Sequence, residues 1–358
     1  MFLKPIKCKK KYEDIIASKI IVWLWVNFYQ ECFRILKSGT VLNDSNIIRE
    51  AIMSGKIQYE NGAFKGKFTN AISAELEKLG ARYSKYQKAY LIAKESLPTN
   101  ILWAIDTAKA LAFAKSNAIT KYLLAQLAKI DKLVQKLVFS EAVNSIMKNL
   151  QDRVYKNARQ HKIELITPKL DDFMQDEIAK RYTNNLNFWI KNFVTEKIPE
   201  MRSEVAKLAI KGASTKTIAE YINKEFGIDQ RHAKFLARNE SAIATSSYLA
   251  AKYTSEGFTH FKWHTIVDGR ERDLHRELGK PENNKYGING KNIFRFDEPP
   301  IIDERTGQRG LPSQTYNCRC SFAPVITKEF LENRRKMFKA NNSIVEKIKS
   351  LWNNKKCG

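Results

Sequence analysis

The stretch FTHFKWHT, residues 258–265, divides the chain into two kinds of structure, because helical patterning ends here and strict alternation begins. Phe261 and Trp263 fall on one side of the alternation and basic residues fall on the other, as in a strand with two distinct faces. A segment rich in glycine and proline follows, and then a second strand-like run near residues 320–326. Together these features predict a compact α+β module over residues 229–328.

The sequence before this stretch has the pattern of helices. Apolar residues recur every three or four positions over most of residues 1–228, including a helical pattern from Thr69 to Pro98. An Asn-Gly pair between two short alternating arms predicts a β-hairpin near residues 57–65, and Gly227 predicts a stop between two successive helices. We therefore expect a mainly α fold with a C-terminal α+β module. Its parts are an extended helical region (1–228), the small mixed module (229–328) and a basic tail (329–358).

The composition favours some classes of protein and excludes others. The chain has 62 Lys and Arg residues and 38 Asp and Glu residues, which gives a net charge of +24. This charge favours nucleic acid, an anionic membrane surface or an acidic protein as partner. A solvated, lysine-rich surface is the alternative. The most apolar run, Ile20 to Val26, is far shorter than the roughly 20 residues of a membrane helix, so we expect no membrane span. Five scattered cysteines indicate reduced thiols, without a disulfide framework.

Lysine and arginine cluster at both ends of the chain. Such clusters bind double-stranded DNA without sequence preference, because they neutralise phosphates and release counterions, and six contacts would give a log–log salt slope of about −5. The candidate DNA-binding residues are Lys4, Lys7, Lys9, Lys10 and Lys11 near the start, and Arg334, Arg335, Lys336, Lys339, Lys355 and Lys356 near the end.

A series of short motifs runs in order between residues 229 and 325. It consists of an Ala-Arg-x-Glu helix, a Trp-x-Thr strand, an Asp-x-Arg-x-Arg-x-x-His turn, a Pro-Pro loop and a closing Cys-Arg-Cys. Its residues are Arg238, Glu240, Trp263, Asp268, Arg270, Arg272, His275, Cys318, Arg319 and Cys320. The series resembles that of the Mu F-like family of phage minor head, or head morphogenesis, proteins. The chain departs from the family pattern at Asn239, where Thr is common. Asn239 shares a helical stripe with Leu236 and Ile243, so we expect it to be a buried polar residue that needs partners.

The resemblance implies a structural part of a virion and not an enzyme. Members of the family associate with the portal during procapsid assembly, and some contact the packaged DNA. The resemblance thus implies the portal or other head proteins as partners. It also implies a location inside the capsid, after assembly in the host cytoplasm.

The turn over residues 268–275 allows two interpretations. Its carboxylates and arginines are close enough to form a mutual network that fixes the loop, since Arg pairs with carboxylates through two hydrogen bonds. The same residues could form an anion site, or an acid–base centre with His275 as the base. We favour the structural clasp. The functional alternative is a metal-dependent hydrolase or transferase that uses this turn together with Cys318 and Cys320.

Three residues of the series are possible metal ligands. His275, Cys318 and Cys320 offer the imidazole and thiolate groups that zinc prefers. Some members of the family carry a Cys-x-x-Cys in the turn, and the matching positions here are Arg272 and His275, so one of four ligands is missing. His264 or His260 could replace it only if the strand brought one of them close. Zinc is therefore a possible cofactor, and reduced structural cysteines are the alternative.

Overall fold

The computed structural model describes residues 3–38, 46–165 and 170–337. Contacts within the chain divide it into two compact units. We call residues 19–137 and 187–233 the helical unit, and we call residues 1–18, 138–186 and 234–358 the motif unit. The mainly α fold with a C-terminal α+β region is confirmed.

The N-terminal helices contain the most apolar run of the sequence. Helix α1 (Lys10–Leu24) continues through a π-helical turn (Trp25–Tyr29) into α2 (Gln30–Lys37), and α3 (Ile47–Met53) follows. Within the run, Trp23 and Leu24 are buried while Val22 is exposed, which is the pattern of an amphipathic helix. Among the described residues, no helix has the length and apolar character needed to cross a bilayer.

The predicted hairpin is present and belongs to a larger sheet. Strands β1 (Ile57–Glu60) and β2 (Ala63–Gly66) pair antiparallel, and Asn61 and Gly62 between them both have positive φ, as a tight two-residue turn requires. Helix α4 (Asn70–Lys78) follows and is capped by Thr69, whose Oγ1 accepts a hydrogen bond from the Ile72 N–H. Strands β3 (Arg82–Ser84) and β4 (Ala89–Leu91) complete the order β1-β2-β4-β3. The helical pattern predicted from Thr69 to Pro98 is therefore correct only as far as Lys78, and the prediction is wrong for the strands that follow.

The long helices follow. They are α5 (Thr99–Leu127), α6 (Ile130–Gln135), α7 (Ser140–Gln160), α8 (Asp172–Ile210) and α9 (Thr215–Ser255). The predicted stop at Gly227 is wrong, since α9 runs through it without a break. Glycine inside a helix costs only about 1 kcal/mol relative to alanine. Here Phe226 packs on the Tyr29 ring at 4.8 Å and the Asp229 carboxylate accepts a hydrogen bond from the Tyr29 hydroxyl, so packing on both sides of Gly227 keeps the helix continuous.

The C-terminal part of the motif unit is built from short strands and one short helix. These are β5 (His260–His264), α10 (Asp273–Leu278), β6 (Ile293–Arg295), β7 (Ile301–Asp303), β8 (Gln308–Arg309) and β9 (Ser321–Val325). Strand β5 lies between β6 and β9 in an antiparallel sheet, and β7 pairs with β8. The predicted boundary between residues 228 and 229 lies within α9. That the α+β module begins there remains a prediction.

Candidate functional site

The first motif lies on α9 and is joined to the loop before β9. Arg238 donates a hydrogen bond to the Asn317 side-chain oxygen at 2.9 Å, and the Asn317 backbone N–H donates to the Asn239 side chain at 2.7 Å. The Glu240 side chain is buried and accepts from Asn239 and Asn185, both at 3.3 Å, while burial raises its pKa. Asn239 was expected to be a buried polar residue in need of partners, and its burial and its partners confirm this.

Asp268 is the centre of an arginine clasp. Arg319 donates to both of its carboxylate oxygens, at 2.5 and 2.6 Å, and Arg270 donates to one of them at 2.9 Å. The hydrogen bonds from Arg319, followed by those from Arg270, lower the pKa of Asp268. The turn that follows β5 is therefore tied directly to the Cys-Arg-Cys motif, 51 residues further along the chain.

The rest of the turn forms its own network. Glu271 accepts a hydrogen bond from the Asp268 N–H at 3.1 Å and another from Arg276 at 2.7 Å, and the Arg276 contact lowers the pKa of Glu271 to about 2. Arg272 donates to the Thr315 hydroxyl at 3.0 Å and to the Tyr316 carbonyl at 2.7 Å. These contacts show the arginines of the turn paired with protein groups, as in the clasp interpretation.

Trp263 lies fully buried on β5 and connects the strand to α10. Its indole N–H donates to the Thr265 hydroxyl at 3.0 Å, and that hydroxyl donates in turn to the His275 carbonyl at 2.5 Å. The Trp263 and His275 rings meet edge to face with centroids 5.5 Å apart. The Trp-x-Thr motif thus fixes the position of the histidine.

His275, Cys318 and Cys320 come together in the interior. Their ligand atoms all lie within 4.8 Å of one another, and all three residues are buried. The His275 Nδ1 atom is 3.4 Å from the Cys318 sulfur and 3.7 Å from the Cys320 sulfur. Hydrogen bonding from Cys320 lowers the pKa of the Cys318 thiol. His260, a conceivable fourth ligand, lies instead 3.9 Å from Glu329.

A small cavity of about 110 Å³ opens beside this cluster. Its polar lining includes the three cluster residues and side chains of the clasp: Arg270, Glu271, Arg272, His275, Asn317, Cys318, Arg319 and Cys320. The cavity could hold a few water molecules or a small anion.

Several residues that organise this region were not identified from the sequence. The buried Asn284 amide nitrogen donates to three backbone carbonyls around the end of α10, at 2.8 to 3.1 Å. The buried Asn292 donates to the Trp263 carbonyl at 2.8 Å. Leu3 N donates to the Pro324 carbonyl at 3.2 Å, so the N-terminal segment packs along β9. Asparagine in a loop is a common residue, and sequence spacing contains no signal for these long-range roles.

The basic residues at the two ends have different environments. Lys4 and Lys7 are exposed, as are Lys9, Lys10 and Lys11 at the start of α1, and Arg335 and Lys336 are exposed near the other end. The Lys7 ammonium also donates to the Arg319 carbonyl at 3.3 Å. The Arg334 side chain is only 11% exposed and lies 3.9 Å from Glu256, so it is poorly placed to reach DNA. Lys339, Lys355 and Lys356 lie outside the described residues.

Comparison with known proteins supports the motif series. An uncharacterized protein of Haemophilus influenzae is 24% identical over 168 residues, which are 46% of this chain and 32% of that protein. The chain therefore spans about a third of that relative's length. No solved structure matches the chain. Residues 200–323 match the family described as Phage Mu protein F like protein, and this segment includes every motif of the series. The predicted resemblance is confirmed for this segment: residues 200–323 are similar to the phage Mu protein F-like family.

Proposed function

We propose that this chain is a structural minor head protein of a tailed phage or prophage. It associates with the portal during procapsid assembly in the host cytoplasm, resides inside the capsid and contacts packaged DNA without sequence preference. The observation that carries the proposal is the family match over residues 200–323, since a phage Mu F-like domain indicates a head morphogenesis protein.

The contacts of the turn support a structural role. An acid–base centre needs a carboxylate or histidine free to exchange protons with a substrate. Here the Asp268 and Glu271 carboxylates are both engaged by arginines, which stabilise their ionised forms. These contacts favour the clasp over an acid–base role for the two carboxylates of the turn.

Association with the portal is tested by co-expression. The tagged full chain is produced together with the portal protein encoded in the same phage or prophage genome. We expect the portal to stay bound through a wash at high salt, which removes contacts that are only electrostatic. A tagged basic protein of similar size and net charge is the control. If the chain retains no more portal than the control, and mass spectrometry does not find it in purified virions, the proposal is wrong.

Binding to DNA is expected to depend on the exposed cations at both ends. Five of these exposed cations are chosen for the test, namely Lys9, Lys10, Lys11, Arg335 and Lys336. If each contacts one phosphate, they contribute about −4.5 to the log–log salt slope, because each neutralised phosphate contributes about −0.9. Replacing all five with Gln should remove most of that slope, as measured by anisotropy with a labelled duplex over a series of salt concentrations.

The matched control removes the same number of charges elsewhere. Lys67, Lys85, Lys94, Lys121 and Lys132 are exposed residues of the helical unit, and their replacement by Gln lowers the net charge equally. The assignment predicts a nearly unchanged slope for this control. Equal effects of the two sets would show that DNA responds to total charge and not to the ends.

A further inference from the structure

The His275 cluster has the chemical composition of a soft metal site. Two thiols and one imidazole converge on one point, with their ligand atoms all within 4.8 Å of one another. Thiolate and imidazole ligands select zinc over hard cations such as Mg²⁺ or Ca²⁺. The segments that bring them together, α10 and the Cys-Arg-Cys motif, are held by the clasp at Asp268, so the ligands are arranged before any ion binds.

The orientation of His275 supports a metal at Nδ1. The His275 Nε2 atom lies 3.0 Å from the Ile302 carbonyl, and a carbonyl can only accept, so Nε2 carries the proton. In a neutral imidazole this leaves a lone pair on Nδ1, and Nδ1 is the atom that faces both sulfurs. A backbone carbonyl that orients the far nitrogen is the usual arrangement of a metal-bound histidine.

We propose that this chain binds one Zn²⁺ through His275 Nδ1 and the sulfurs of Cys318 and Cys320. The fourth ligand is a water molecule from the adjoining cavity of about 110 Å³, because zinc in proteins takes four ligands. Each thiol loses its proton when the metal binds. The proposal is independent of the head-protein function, because it rests only on this cluster.

The proposal predicts a stoichiometric site in the purified full chain. Elemental analysis should find one zinc per chain. When the zinc is removed by a chelator and replaced with Co²⁺, thiolate-to-cobalt charge-transfer absorption in the near ultraviolet should saturate at one equivalent. Added Zn²⁺ should raise the Tm of the chelator-treated protein and Mg²⁺ should not, since only binding to the folded state stabilises it.

Variants of the ligands separate this site from the other cysteines. Cys318→Ser and Cys320→Ser should each weaken Co²⁺ binding by at least about tenfold. Loss of a residue that only hydrogen-bonds to a metal ligand already costs about that much affinity. Cys32→Ser is the control, because Cys32 is also buried but bonds to the Phe28 carbonyl in the helical unit. Circular dichroism tests whether each variant is folded. If a variant is unfolded, the cobalt titration of the wild-type chain is the test of metal binding.

Three results would overturn the proposal. One is a chelator-treated, reduced wild-type chain that takes up neither Co²⁺ nor Zn²⁺. Another is a folded Cys318→Ser variant with an unchanged cobalt spectrum. The third is a Cys32→Ser variant that loses the metal, because this would place the thiolate ligand outside the cluster.

Discussion

The first sheet of the helical unit and the β5–β9 region of the motif unit are stabilised by different kinds of contact. The first sheet, with α3, α4 and the start of α5, encloses a cluster of apolar side chains such as Ile57, Phe64 and Leu76. In the β5–β9 region, buried polar residues including His275, Asn284 and Asn292 stand beside the apolar core. The first region is therefore stabilised mainly by apolar packing, and the second also by buried polar contacts.

The difference follows from how much of each backbone is in regular elements. Helices and strands satisfy their own N–H and C=O groups, so only side-chain burial remains to be arranged. Between β5 and β9 the chain runs through long irregular loops, and buried loop groups need specific side-chain partners. Apolar packing tolerates many substitutions of similar volume, whereas a hydrogen-bond partner must have a particular geometry. This explains why the irregular region carries recognisable motifs.

The largest effect is expected from breaking the apolar cluster. Phe64 is fully buried and packs against the Tyr59 ring at 4.9 Å. Phe64→Ala should lower the free energy of unfolding by about 3–5 kcal/mol through lost contacts and a residual cavity, as measured by urea denaturation, with hydrogen exchange localising the change. Tyr86 is 98% exposed, and Tyr86→Ala should change stability by less than about 0.5 kcal/mol. Similar losses in both variants would contradict the importance of this cluster.

A buried carboxyl group should make the stability of the helical unit depend on pH. Burial raises the pKa of Asp229 to about 6, above its unfolded value, so folding favours the protonated form. Its stabilising contribution is complete below about pH 4 and is lost as the pH rises through 6, a change of about 3 kcal/mol.

The measurement is the difference in unfolding free energy between wild type and Asp229→Asn from pH 4 to pH 7. Asn cannot ionise, so the variant should gain stability relative to wild type as the pH rises. Asp106 is exposed, and Asp106→Asn serves as the control. A difference that stays constant over this range would refute the raised pKa.

A single polar partner in the motif unit should have an intermediate effect. Asn292→Leu removes the donor to the Trp263 and Gly279 carbonyls, and leaving such buried groups unsatisfied costs about 1–3 kcal/mol. The exposed Asn144 provides the matched substitution, Asn144→Leu, which should be nearly neutral. Equal stability of the two variants would show that the network is dispensable.

The smallest effect is expected from the partly exposed clasp. Arg319 lowers the pKa of Asp268 below its unfolded value, so the clasp stabilises the fold above about pH 4 and this contribution is lost as the pH falls. Asp268→Asn should therefore lower the Tm at neutral pH and low salt, and the difference should shrink at high salt because partly exposed ion pairs are screened. A difference that does not depend on salt would contradict the ionic clasp.

The sequence predicted those features whose cause is local. The alternation around Trp263 predicted β5, the Asn61-Gly62 pair predicted the hairpin, and Thr69 predicted the start of α4. Each depends on periodicity or turn chemistry within a few residues. The prediction of a stop at Gly227 failed for the same reason, because a local penalty was judged without the packing of Phe226 and Asp229 on Tyr29.

From the residues alone, the mainly α fold with a C-terminal α+β region, the first hairpin and the motif series could be predicted, and the series indicated the family whose model matches residues 200–323. The tertiary structure was needed to show that His275 meets the two cysteines, which lie 43 and 45 residues further along the chain. It also decided that Arg334 is paired inside the protein and that Asn292 supports β5. The physical reason is that loop closure over tens of residues depends on many weak contacts at once, and no short-range pattern in the chain records their sum.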